Sequence, residues 1–66
     1  MKIKDLLKLT NDAKLYIEII DIRDKVSYGI FRKNDLIYST KYHNDTIKNI
    51  SVQYFENKRI LILEVE

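Results

Sequence analysis

The residues best equipped for chemistry lie in one short stretch, YSTKYHND, residues 38–45. It holds two of the chain's five tyrosines and its only histidine. A His43–Asp45 pair has the group types needed to orient an imidazole for general-base work. Ser39 and Thr40 supply hydroxyls, but neither sits in a nucleophile elbow or any other supporting motif. His43 and Asp45 are only two positions apart in a connecting segment, and Asn44 and Asp45 favour side-chain-to-backbone turns. The stretch therefore reads first as a polar connection, second as an interaction surface, and least as a catalytic site.

The other chemistry-bearing groups point the same way. Glu18, Asp21 and Asp24 are carboxylates near one strand end, without the spacing or glycine of a calcium loop. Lys2, Lys4 and Lys8, with Lys14 and Lys48, have the charge to touch phosphates, yet Asp5 and Asp12 interrupt them. Tyr16, Tyr28 and Tyr54 sit in strand-like segments, where aromatics are enriched in any case. Stacking of bases on a sheet would use such residues, but no ribonucleoprotein motif accompanies them. A single glycine cannot build a phosphate loop. With no cysteine and one histidine, neither a disulfide nor a thiolate or imidazole metal cluster is available. No cofactor is expected, and the chain is not read as an enzyme.

These groups need a scaffold, and 66 residues allow one domain, residues 1–66. That length is near the lower limit for folding alone, so an apolar core or a partner must stabilise it. Ile, Leu and Val supply 21 residues. The net charge of +2 comes from 12 basic and 10 acidic residues, too balanced to announce nucleic acid. No apolar run approaches the ~20 residues of a membrane span. The N-terminal MKIKDLLKLTND is too charged for a signal peptide, so a cytoplasmic location without membrane association is expected. The abundance of Lys, Ile, Asn and Tyr is a compositional mark of an AT-rich genome.

The elements follow from periodicity. IKDLLKLT sets Ile3, Leu6, Leu7 and Thr10 at helical spacing, predicting a helix from Lys2 to Leu9 closed by Asn11 in the left-handed region. KLYIEIIDI, residues 14–22, predicts a strand with Leu15, Ile17 and Ile19 on one face and Tyr16, Glu18, Ile20 and Ile22 on the other. After the turn RDK, VSYGIF returns, with Val26, Tyr28 and Ile30 on one face, and Gly29 in its interior marks a bulge or a close backbone approach. From Arg32 to Ile47 two readings stay open. A short helix capped by Asn34 or Asp35 and containing Leu36 and Ile37 is favoured; a third strand at LIYST is the alternative. NISVQYF and RILILEV form a hairpin around ENK, with Asn57 at positive φ. The fold class is α+β, in the order α-β-β-α-β-β, with a four-stranded, mostly antiparallel sheet and one or two short helices. Such helices cover one face only. The other is expected to leave Ile20, Ile22, Leu61, Leu63 and Val65 in water, a patch that marks self-association. A homodimer or an obligate partner is expected.

The succession of MKIKDLLKLT, the glycine-bearing YGIF, a variable middle and the closing IKNISVQYFENKRILILEVE resembles the small proteins encoded by phages and prophages of low-GC bacteria. The likeness covers nearly the whole chain as a pattern, and it carries no functional motif whose residues can be transferred. Several such proteins inhibit host defence, among them anti-CRISPR proteins. The resemblance implies a non-enzymatic protein, in the host bacterial cytoplasm, that binds a defence protein stoichiometrically and blocks it. Tyr38, Lys41, Tyr42, His43 and Phe55 are the exposed candidates for that contact. A small nucleic-acid-binding accessory protein and an antitoxin-like or structural module of a mobile element are the alternatives.

Overall fold

A computed structural model describes residues 1–12 and 14–66. Helix α1 (Ile3–Leu9) leads into β1 (Tyr16–Asp21) and β2 (Val26–Arg32). Helix α2 (Lys33–Tyr38) and a 3-10 turn at Thr40–Tyr42 follow, and the chain closes with β3 (Ile47–Phe55) and β4 (Lys58–Val65). The sheet order is β2-β1-β4-β3. β1 runs antiparallel to β2 and parallel to β4, and β3 is antiparallel to β4. The expected α+β class and element order hold, and the middle segment adopts the helical reading.

The core lies between the helices and one sheet face. Ile3 and Leu7 of α1 and Leu36 of α2 pack with Leu15, Ile17, Ile19, Leu63 and Val65. Each of these buried aliphatic side chains stabilises the fold by about 1.5–3 kcal/mol. The alternation of Ile17 and Ile19 with Tyr16, Glu18 and Ile20 agrees with the sequence reading. The alternation of the last strand runs opposite to the self-association reading. Leu61, Leu63 and Val65 pair with Ile17, Ile19 and Asp21, so they share the helix side. Leu63 and Val65 are fully buried there and Leu61 is half-buried. They are core, not exposed surface. Ile22 lies beyond the end of β1, half-buried, with its N–H donating to the Val65 carbonyl at 3.0 Å. Only Ile20 of the expected patch faces the uncovered side.

Local details also depart from expectation for identifiable reasons. α1 ends at Thr10 in extended conformation rather than with a left-handed Asn11. The buried Lys33 amine donates to the Thr10 carbonyl, so an ammonium does the work of a left-handed cap. α2 begins at Lys33, with Arg32 as N-cap and no side-chain cap from Asn34 or Asp35. The Lys33 N–H instead donates to the Leu15 carbonyl at 3.0 Å. Of the two readings of Gly29 the bulge is the one present: Ile19 opposes Gly29 but Ile20 opposes Ser27, leaving Tyr28 unpaired. Gly29 has φ +116°, a region that side chains rarely adopt. The bulge separates Tyr28, on the helix side, from Ile30, which opposes Glu18 on the uncovered side. At the β3–β4 turn Glu56 and Asn57 have φ of 51° and 64°, the double positive φ of a type I′ hairpin.

Candidate functional site

The 38–45 stretch is a clamp. The first N–H groups of a helix lack intrahelical acceptors. Here the Ile3 N–H donates to the Asp45 carbonyl and the Lys4 N–H to the His43 carbonyl, both at 3.1 Å. The His43 ring Nε2 bonds the Leu36 carbonyl. A carbonyl only accepts, so Nε2 carries the proton. That carbonyl is one of those left open at the end of α2. One loop thus caps the start of α1 and the end of α2. A bridge between Lys2 and Thr46, and the Ile47 N–H donating to the Met1 carbonyl at 2.8 Å, continue the strap. His43 and Asp45 serve the scaffold mainly through backbone atoms and one ring nitrogen. Both are described residues, and no hydrogen bond joins them.

Tyr42 is likewise structural. Its ring stacks on Tyr28 with centroids 5.0 Å apart and lies 5.6 Å from Phe31, so it is half-buried rather than an exposed contact residue. The Tyr28 hydroxyl donates to Asp21 Oδ2 at 2.9 Å. That bond lowers the Asp21 pKa, with the Arg23 N–H assisting, and raises the Tyr28 pKa. Tyr38, 87% exposed, and Lys41 do stand in solvent, on the helix side. Phe55 opposes Lys58 on the uncovered side at the hairpin end. The structure therefore splits the five expected contact residues: Tyr38 and Lys41 outward, Tyr42 and His43 into the scaffold, Phe55 on another surface.

The remaining sequence candidates separate too. Glu18 accepts from the Ser27 hydroxyl at 2.8 Å on the uncovered face, whereas Asp21 bonds Tyr28 on the helix side. Among the described residues no three His, Cys, Asp or Glu side chains gather as a metal site. Tyr16 lies on the uncovered face, and Tyr28 and Tyr54 on the other, so the tyrosines form no common stacking row. Lys48 pairs with Glu66 at 3.6 Å.

Two surfaces emerge that single strands do not disclose. The first is the uncovered sheet face. Register places Arg32, Tyr16, Ile60 and Gln53 in one row, then Ile30, Glu18, Ile62 and Ser51, then Ser27, Ile20, Glu64 and Asn49. Apolar and polar groups alternate across it, and among the described residues no helix or strand packs over it, although Ile60 is itself buried among its neighbours. The second is its basic end. Arg32 lies 5.9 Å and Lys58 5.3 Å from the Tyr16 ring centroid, within cation–π range. An open concavity of about 410 Å³ adjoins them, lined in part by Lys14, Tyr16, Tyr54, Lys58 and Arg59. Arg59 also pairs with Asp12 at 3.5 Å. The signal that could have found this end is the predicted hairpin, which fixes Phe55 opposite Lys58. Nothing local predicts that β4 lies beside β1. Among the described residues no helix is long and apolar enough to cross a membrane. No family model, no curated protein and no solved structure matches this chain.

Proposed function

We propose that this chain is a non-enzymatic interaction protein that binds a partner protein stoichiometrically through the uncovered face of its sheet. The target is a component of a bacterial anti-phage defence system. The observation that carries the binding reading is the one-sided covering of the sheet. Tyr16, Ile20 and Ile62 stand among polar neighbours on a face that no helix covers, with Ile30 and Phe55 exposed beside them. Non-obligate interfaces have this mixed character, with aromatic and arginine side chains enriched at their centres. The choice of a defence target comes from the resemblance to small phage and prophage proteins. Binding to such a protein blocks its channel, its assembly or its conformational change, and requires no reaction at this chain.

The basic end favours a second reading, as a binder of single-stranded nucleic acid. Lys14, Arg32 and Lys58 around Tyr16, with Phe55 nearby, supply cations and stacking surfaces. One experiment separates the two. The tagged chain is used to capture partners from a phage-defended bacterial lysate, with and without nuclease. A single stoichiometric defence protein retained after nuclease, and lost on Ile62→Asp, supports the first reading. Capture abolished by nuclease and by Lys58→Glu supports the second. Retention of that protein by Ile62→Asp would exclude the uncovered face as its site.

A further inference from the structure

The two sheet edges are not equivalent. The β2 edge is broken by the bulge at Tyr28 and backed by Tyr42. The β3 edge has no proline or glycine, and its register is continuous from Asn49 to Phe55. Beyond Ile47 every β3 residue is exposed. Its single charge, Lys48, sits at the irregular end. Edges normally carry charge, proline or bulges against pairing with another chain. This one lacks such protection along its continuous part.

Its backbone direction is fixed by the turn. In a two-residue hairpin the closing pair, here Phe55 and Lys58, exchanges its hydrogen bonds, and alternation turns Gln53 and Ser51 toward β4 as well. Ile50, Val52 and Tyr54 therefore direct their N–H and C=O groups outward, along the edge. The same residues form a row on the helix side that the helices do not reach: Val52 is 51% and Tyr54 74% exposed.

We propose that a second copy of this chain pairs antiparallel with β3 about a two-fold axis at Val52, joining two four-stranded sheets into one. In that register Val52 opposes Val52 of the second copy and Ile50 opposes its Tyr54. Each of these is a pair whose backbone groups already point outward. Ile50 with Tyr54 is an aromatic–β-branched cross-strand pair, a stabilising combination. At the ends, beyond the regular ladder, Lys48, which also pairs with Glu66, comes nearest Glu56 in the turn of the second copy, so the charges there are complementary. An axis one residue earlier would set Lys48 against Tyr54, and one residue later Ile50 against Glu56. The Val52 register alone opposes apolar to apolar and cation to anion. The pairing is independent of the target's identity, and it extends the uncovered face across both copies.

Charge reversal at the axis tests this directly. Sedimentation velocity of the purified chain should show twice the chain mass at micromolar to near-millimolar concentration. Val52→Lys and Val52→Glu each place like charges opposite one another, and each should weaken the dimer about ten-fold or more. An equimolar mixture of the two variants should restore it. Tyr38→Ala, remote from β3, should leave it unchanged. A monomer at all concentrations would overturn the proposal, as would a dimer unaffected by either variant or a mixture that stays monomeric. Should a charged variant fail to fold by circular dichroism, Val52→Cys provides the second arm, since the chain has no other cysteine. A short bis-maleimide should then yield covalent dimer at Val52→Cys but not at Ser39→Cys, and equal yields at both would refute the register.

Discussion

Replacing Gly29 by alanine isolates backbone strain from packing. A Cβ built at Gly29 meets only the Phe31 ring, at 3.9 Å, an ordinary van der Waals distance. No clash arises, so a packing account predicts little effect. The φ of +116° is a different matter: a side chain there costs about 1–3 kcal/mol. Alanine also restricts the unfolded chain, which offsets about 0.4–1 kcal/mol. Taken at their midpoints, about 2 less about 0.7, the two effects leave a net loss of about 1.3 kcal/mol. A domain this small rarely exceeds about 3–5 kcal/mol in total, so the loss is a large share. With a urea slope near 1 kcal/mol per molar, the midpoint falls by about 1.3 M, measured by circular dichroism at one fixed protein concentration. Gly29→Val should cost more, because β-branched residues avoid positive φ. An unchanged or higher midpoint for Gly29→Ala would refute the strain reasoning. The bulge also delivers Tyr28 to Asp21, so a variant that smooths the ladder should lose the perturbed phenol.

That phenol supplies a second prediction. The hydrogen bond to Asp21 stabilises neutral Tyr28, whose folded pKa is raised above the usual value of about 10. Its stabilising contribution is complete below that value and is lost as pH rises through the folded pKa. Asp21 is depressed by the same bond and by the Arg23 N–H; its contribution is present above about 3.9 and lost as pH falls through its folded pKa. Tyr28→Phe should remove a phenol titration displaced above the ordinary tyrosine range in an ultraviolet titration and move acid unfolding to higher pH; an undisplaced Tyr28 phenol and an unchanged acid transition would show that the bond is absent in solution. Thr10 gives a third. Its hydroxyl oxygen is buried without a hydrogen-bond partner among the described residues. Thr10→Val removes that unpaired group and should raise stability by about 1 kcal/mol in urea unfolding, whereas a loss would show that the hydroxyl is bonded.

What the sequence disclosed was local. The periodicity of Ile3, Leu6 and Leu7, the alternation from Leu15 to Ile20, Gly29 as a bulge and Asn57 as a turn residue each depend on neighbours a few positions away. What it concealed was pairing at a distance. Alternation divides the residues of β4 into two sets but does not say which set meets the helices. Only the parallel alignment with β1 buries Leu63 and Val65 while leaving Ile62 outside. The same limit hid the basic end, where residues 14, 32 and 58 converge. His43 drew attention because its residue type suggests chemistry, yet its ring bonds a helix carbonyl and its own carbonyl caps another helix. Side-chain identity does not encode such backbone roles.

The parallel contact between β1 and β4 has a further consequence for how the molecule comes into being. The partners, such as Tyr16 and Ile60, lie about two thirds of the chain apart, and contacts of such long separation form late and slowly. Until the residues of β4 have been synthesised, β1 and β2 exist as an isolated hairpin, which is marginal in water. The domain therefore has no stable first half, and its folding is an event of completion rather than of growth. A stop codon early in β4 would abolish the sheet's centre instead of trimming its edge, and the truncated product should be cleared by proteolysis rather than persist as a shortened form.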